Sequence, residues 1–234
     1  MSALRLPPFW VVIPAAGVGS RMRADRPKQY LELGGQTILE HTLDRFLDHP
    51  QLQGLVVSLA EQDPYWPELQ CAADPRICRA TGGSERADSV LAGLQVLSGL
   101  GANEEDWVLV HDAARPNLAL DDLNSLLATL ADDPVGGLLA VPARDTLKRA
   151  GADGRVQETV DRSVIWQAFT PQMFRLGSLR AALMDALTSG VAVTDEASAL
   201  EWAGHHPRLI EGRADNLKIT RPEDLTWLQQ RWQS

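Results

Sequence analysis

The chain's 234 residues, 44% hydrophobic and 23% charged, can bury a substantial core and fit one domain, or one domain with an appendage. A net charge of −9 argues against a general nucleic-acid binder, which would be repelled by the phosphate backbone at long range. No apolar run approaches the roughly 20 residues that span a bilayer, and Cys71 and Cys78 lack C-x-x-C spacing, so neither a disulfide framework nor a zinc site is expected and a cytoplasmic setting fits.

In chain order, the N-terminal stretch MSALRLPPFWVVIPAAG lacks a long apolar segment and runs straight into a glycine turn, which predicts a first strand rather than a signal peptide. Strand-like runs follow at Trp10–Pro14, Leu55–Leu59, Ile77–Thr81, Trp107–His111 and Gly137–Val141. Helical periodicity is present at Thr37–Leu47, Ala87–Leu97 and Asp121–Leu130, and later near Leu179–Leu187, Asp195–Ala203 and Glu223–Trp232. Alternating β and α units with apolar strands predict an α/β fold: a mostly parallel twisted sheet flanked by helices. Right-handed crossovers then line the strand C-termini along one edge, where such sheets bind ligands. Residues 142–170 break the rhythm. Two strand-like runs flank Gly151-Ala152-Asp153-Gly154, a hairpin signal, so a β-arm inserted into a single domain of residues 1–234 is expected. Trp166, Trp202, Trp227 and Trp232 sit on apolar periodic positions and are expected in the core or at an interface rather than under a base.

The most informative stretch follows the first strand: Pro14-Ala15-Ala16-Gly17-Val18-Gly19-Ser20-Arg21-Met22. A small-residue turn lets backbone N–H groups approach an anion, although glycine pairs also make plain strand-to-helix turns. Met22 stands where a dinucleotide fingerprint needs its third glycine, and no Gly-Lys-Ser/Thr ending makes a P-loop. Arg21, Arg23, Arg26 and Lys28 fall within eight positions of an otherwise acidic chain. Arg forks across phosphate oxygens and Lys acts as a point charge, so the cluster suits a nucleotide triphosphate. Further on, Gly82-Gly83 permits close approach of a flat base and Ser89 can bond its polar edge; a bare helix N-terminus would read the same way. Asp112, at the end of an apolar strand, is placed either to hold Mg²⁺ on phosphate oxygens or to cap a turn. None of the five histidines has metal-ligand spacing.

PAAGVGSRM followed by PKQYL resembles the signature loop of the 2-C-methyl-D-erythritol 4-phosphate cytidylyltransferase family of non-mevalonate isoprenoid synthesis. The likeness continues through GGSERADSV, VHDAARP, RDTLKR, TVDR, TDEASALE and EGRADNLKITRPEDL, in order along nearly the whole chain. Ser84 departs from it, standing where the family pattern has an acidic residue. The resemblance implies a nucleotide site at Pro14, Ala15, Ala16, Gly17 and Gly19, with Gly83 and Ser89 recognising cytosine. It implies catalytic roles for Arg21, Lys28, Arg162 and Lys218, Mg²⁺ at Asp112, and acceptor contacts from Arg115, Thr146, Thr170 and Thr194. The implied substrates are CTP and methylerythritol phosphate, with no nucleic-acid or membrane partner. The implied assembly is a homodimer joined through the β-arm, in which Arg115 or Thr146 reaches the partner's site. A ribitol phosphate cytidylyltransferase and a non-catalytic nucleotide-binding regulator are the alternatives. The attacking phosphate monoester has a second pKa of about 6, so no general base is expected, in keeping with the lack of a Ser-His or Cys-His pair among these motifs.

Overall fold

The first apolar run forms β1 (Phe9–Pro14), near the middle of the sheet. The structure, a computed structural model, describes residues 6–17, 19, 22 and 24–232. Along β1 the side chains alternate as a strand requires: Val11 and Ile13 enter one apolar cluster and Val12 another. Helices therefore cover both faces. A short ladder of β2 (Glu32–Leu33) and β3 (Gln36–Thr37) leads into α1 (Ile38–Leu47). A reciprocal cap closes that helix, with Thr37 Oγ1 accepting from the Glu40 amide at 3.2 Å and Glu40 Oε2 from the Thr37 amide at 2.9 Å. Then come β4 (Leu52–Leu59), β5 (Ile77–Thr81), α2 (Arg86–Gly99), β6 (Trp107–Val110), α3 (Leu120–Leu130) and β7 (Gly136–Pro142). The remainder comprises β8 (Leu147–Ala150), β9 (Val156–Val160), β10 (Trp166–Arg175), α4 (Leu176–Thr188), α5 (Glu196–Trp202), β11 (Arg208–Glu211) and α6 (Pro222–Trp232).

Seven strands make one sheet in the order β11-β7-β10-β6-β1-β4-β5. Every neighbouring pair is parallel except those of β10, which runs antiparallel to β6 and β7. The mostly parallel sheet read from the sequence is thus the sheet observed. Leu39 and Leu43 of α1 pack on one face with Leu123 and Leu127 of α3. The other face carries Val90 and Leu94 of α2, Leu179 and Leu183 of α4, and Leu200 of α5.

One local expectation needs correction. Trp166–Thr170 was assigned to the arm, yet it opens the ten-residue β10, buried continuously from Phe169 to Phe174. The edge strand β11 had no apolar signature, because only Ile210 of its four residues is buried. Of the tryptophans expected in the core or at an interface, Trp202 and Trp227 are 54% and 38% exposed, which leaves the interface for these two. Between β7 and β10, β8 and β9 pair only with each other among the described residues. Their turn is closed by the Gly151 amide on Arg155 O at 2.9 Å.

Close contact between α2 and the sheet sets where the N-terminus of that helix meets the end of β1. At Gly93 an added Cβ would lie 2.5 Å from Val12 Cγ1 and 3.1 Å from Ser58 Oγ. Helix propensity alone favours Gly→Ala by about 1 kcal/mol, but overpacking against a stiff β-branched neighbour costs about 1–3 kcal/mol. Gly93→Ala should therefore lower the urea midpoint. Gly99→Ala, with nothing within 4 Å of the added methyl, should raise it, by the equivalent of about 0.5–1 kcal/mol. Equal shifts of the same sign in the two urea melts would refute the packing argument.

Candidate active site

Where β1 ends, the chain turns across the C-terminal edge of the sheet. The Ala15 amide donates to Ser58 O at 2.8 Å, which extends the parallel pairing one step into the turn. Gln29, 3% exposed, donates its amide to Ala15 O at 2.6 Å and Gly17 O at 3.1 Å. Those carbonyl dipoles are thereby neutralised and do not oppose an anion in the turn. Lys28 Nζ donates to Ile219 O at 3.0 Å and ties the loop to the segment before α6.

Across the cleft, the N-terminus of α2 approaches the same loop. A Cβ on Gly82 would lie 2.5 Å from Ala16 Cβ and one on Gly83 2.3 Å from Asp88 Cβ, so neither position has room for a side chain. The Gly83 amide donates to Ser89 Oγ at 3.2 Å, and that hydroxyl donates to Glu85 O at 3.2 Å. Ser84 Oγ donates to Asp88 Oδ2 at 3.0 Å, the carboxylate that also caps Glu85 N–H at 3.0 Å. A serine thus completes this cap where a second carboxylate would face Asp88. Loop and helix end line a cavity of about 290 Å³, whose floor is Asp112, Ala113, Ala114 and Lys218.

A second cavity, of about 190 Å³, lies on the far side of Asp112 and is lined by Arg115, Phe169, Thr170, Thr194 and Asp195. Arg86, Asp112 and Lys218 line both cavities and form the wall between them. The Asp112 carboxylate is 6% exposed. Its Oδ1 takes Arg86 Nε at 3.0 Å, while Oδ2 takes Arg115 Nε at 3.1 Å and Lys218 Nζ at 3.0 Å. Burial alone would raise its pKa, yet Arg86, Lys218 and Arg115 hold it well below the usual carboxylate range. Arg86 is in turn gripped by Glu196, Nη1 to Oε1 at 2.6 Å and Nη2 to Oε2 at 3.1 Å. Burial alone would lower the Arg86 pKa, but Glu196 and Asp112 outweigh it and raise it, so the guanidinium stays charged. Arg115 donates also to Asn216 O at 2.7 Å.

A buried chain of hydrogen bonds fixes the backbone beneath this wall. The Asp112 amide donates to Thr170 Oγ1 at 3.0 Å, and Thr170 Oγ1 lies 3.0 Å from His111 Nδ1. His111 Nε2 lies 3.0 Å from Arg115 O, which can only accept, so Nε2 carries the proton and Nδ1 accepts from the threonine hydroxyl. Burial lowers the His111 pKa to about 4, and the ring is neutral at pH 7.

Of the residues singled out by sequence, Pro14, Ala15, Ala16, Gly17, Gly19, Lys28, Gly83, Ser89, Asp112 and Lys218 line the first cavity. Arg115, Thr170 and Thr194 line the second, together with Asp112 and Lys218. Arg21 lies outside the described residues. Arg162 and Thr146 line neither cavity: both flank the β8–β9 ladder, where the Arg162 guanidinium contacts Arg144 O. Sequence reasoning missed Arg86, Glu196 and Gln29. Arg86 carried a signal, since a cation in the first turn of a helix opposes the helix dipole and calls for a partner. Glu196 is an ordinary acidic residue in a first turn and carried none.

The model of the 2-C-methyl-D-erythritol 4-phosphate cytidylyltransferase family matches residues 9–231. A protein of that name from Pseudomonas entomophila is 74% identical over 227 residues, covering 97% of each chain. Another of the same name, from Ectopseudomonas mendocina, is 74% identical over 224 residues, 96% of this chain and 95% of that one. The crystal structure of the Francisella tularensis protein of that name superposes with a TM-score of 0.83 at 37% identity, over 97% of this chain and 100% of the other. With a family model spanning nearly all of it and relatives this similar end to end, the chain belongs to the 2-C-methyl-D-erythritol 4-phosphate cytidylyltransferase family.

Proposed function

We infer that this chain transfers CMP from CTP to 2-C-methyl-D-erythritol 4-phosphate, giving 4-diphosphocytidyl-2-C-methyl-D-erythritol and pyrophosphate. The observation that carries the reading is the shared wall: a glycine-lined cavity and a cationic cavity meet at Arg86, Asp112 and Lys218. In this reading the nucleotide lies against Ala15–Gly17 and Gly19, with its base at Gly83 and Ser89. The acceptor phosphate lies against Arg115, Thr194 and Lys218. A phosphate oxygen of the acceptor attacks the α-phosphorus, a new P–O bond forms, and the bond to the β-phosphate breaks with its electrons leaving on pyrophosphate.

That oxygen is already largely dianionic, with a second pKa of about 6, so the protein has no proton to remove. His111 is not available as a base, since both its ring nitrogens are engaged and it is buried. The chain's task is electrostatic: Lys28 and Arg21 offset charge building on the leaving group, and Lys218 and Arg115 hold the attacker. Asp112 offers a hard oxygen donor on the cleft wall. Among the described residues no group of three or more His, Cys, Asp or Glu side chains could hold a metal, so Asp112 fits Mg²⁺ only together with triphosphate oxygens. When bound there, Mg²⁺ would neutralise charge on the phosphates.

Two finer features complete the reading. Val156 and Val164, on and just after β9, are 64% and 74% exposed, and an isolated two-stranded ladder is marginal in water. A homodimer packed through β8–β9 would cover them and carry Arg162 and Thr146 toward the partner's acceptor pocket. A cytoplasmic setting agrees with Cys71 and Cys78 being unpaired; among the described residues no helix is long and apolar enough to cross a membrane.

Pyrophosphate release should be observed with CTP and methylerythritol phosphate, fall sharply with UTP, and stop on adding EDTA. Preferred turnover of ribitol phosphate would move the assignment to the alternative acceptor, and no turnover with either would leave a nucleotide-binding regulator. In light scattering at micromolar concentration the protein should have twice the chain mass, and Val156→Glu/Val164→Glu should yield monomers of reduced activity. A fully active wild-type monomer would rule the arm interface out.

His111 also makes stability depend on pH. Its folded pKa of about 4 lies below the unfolded 6.5, so between those values the unfolded chain binds the proton and the folded one does not. Stability should therefore fall as pH drops from about 6.5 to 4, by up to about 3 kcal/mol. Protonation of Asp112 acts only below about 3.9, so the two windows separate. Urea melts between pH 7.5 and 4.5 should show a slope in the wild type that His111→Gln reduces; identical slopes would disprove the role of burial.

A further inference from the structure

The three cations on Asp112 are not equally committed to it. Arg86 is held by both oxygens of Glu196, at 2.6 and 3.1 Å, so it keeps a full partner if Asp112 is taken away. Arg115 is anchored by Asn216 O at 2.7 Å, and its side chain is 13% exposed. Lys218 has Asp112 as its only ion-pair or hydrogen-bonding partner among the described residues, at 3.0 Å. Its side chain is also the most exposed of the three, at 35% against 27% for Arg86 and 13% for Arg115. Lys218 moreover lines both cavities, so a displaced ammonium can move to an anion on either side without crossing the fold.

We propose that Lys218 masks Asp112 in the substrate-free protein, occupying Oδ2 so that no divalent cation is held there until a nucleotide is present. This rests on the reading that Asp112 meets a divalent cation alongside the triphosphate. A carboxylate has about four lone-pair positions, and here three cationic donors already compete for them. A dication brought to Oδ2 in the empty cleft would face Arg86 and Arg115 at short range and would have to displace Lys218. Three cations against the carboxylates of Asp112 and Glu196 already leave the cluster one positive charge in excess. Only added negative charge, such as a triphosphate, makes the exchange favourable. Lys218 is the member released, because the other two retain acceptors of their own. The freed ammonium is then available to the acceptor phosphate, so one residue guards the carboxylate first and orients the second substrate afterwards.

Mn²⁺ serves as the probe, with free ion measured by electron paramagnetic resonance and no substrate present. The wild type should show no saturable binding below about 1 mM, weaker than most built protein sites for a hard dication. Lys218→Met and Lys218→Gln should each bind Mn²⁺ at least about 10-fold more tightly, as expected on removing a charge in contact with the carboxylate. Lys218→Arg should stay masked, and adding Asp112→Asn to Lys218→Met should abolish the gain. Saturable binding by wild type matching that of Lys218→Met overturns the proposal, as does a gain that survives Asp112→Asn or fails to appear in either neutral variant. Circular dichroism melts establish which neutral variant is folded, and the wild-type titration can refute the mask without either. Because the titration contains no nucleotide, it is separate from the assigned reaction. An active wild type with no unmasking defeats only the mask, whereas clear unmasking without turnover of CTP defeats the functional reading.

Discussion

The Asp112 carboxylate, almost wholly removed from water, sets the terms for everything around it. An isolated ionised carboxylate at that depth would be too unfavourable to persist. It persists because three cations reach it from separate parts of the chain: Arg86 from the start of α2, Arg115 from three residues on, and Lys218 from the segment before α6. The two arginines bring along their own support, and the segment that carries Lys218 is tied to the opposite loop. Glu196 anchors Arg86 to α5, Asn216 anchors Arg115, and Ile219 O receives Lys28 from the opposite loop. Local positive charge in a chain of net charge −9 follows from satisfying this one buried anion, and the same charge makes the cleft attractive to phosphates.

Topology explains how Thr170 comes to sit under that carboxylate. Because β10 runs antiparallel to β6, with Gln172 opposite Val110, two steps back on β10 meet two steps forward past β6. That places Thr170 beside Asp112, where its hydroxyl receives the Asp112 amide. The pairing of β10 with β7 shifts register between Ala168 and Gln172, so the strand is irregular where Thr170 is needed. A parallel strand in this position would have carried its residues away from the edge after the same two steps. The single reversed strand is therefore the element that brings the second cavity up against Asp112 and the turn after β1.

Much of this was legible in the sequence, and the gaps have physical reasons. Buried β-branched runs announced β1, β4, β6 and β7, and the small residues after β1 announced a turn open to an anion. Asp112 and Lys218 were identified, but not that they touch, because a separation of 106 positions along the chain carries no local trace of a 3.0 Å contact. β11 was invisible since a strand at the sheet's edge buries only Ile210. Trp166–Thr170 was misassigned because a strand that begins near a hairpin and ends in the core has one pattern of residues and two environments. Glu196 gave no hint, as acidic residues in a helix's first turn are common for reasons unrelated to any partner.

Side chains that define this cleft also hold its walls together, and that double duty constrains how substitutions act. Removing Arg86 would strip Asp112 of one partner and leave Glu196, 1% exposed, without a cation; unpaired buried charge is among the larger single-site penalties. Lys218 differs, since its departure leaves Asp112 with two guanidinium partners and strands no acceptor of its own. Arg86 and Glu196 are thus framework as much as chemistry, whereas Lys218 can move without unfolding the wall. The reaction proposed for this cleft brings two anionic substrates together, and one mobile charge on a rigid base suits that task. The distribution of partners around Asp112 supplies that asymmetry.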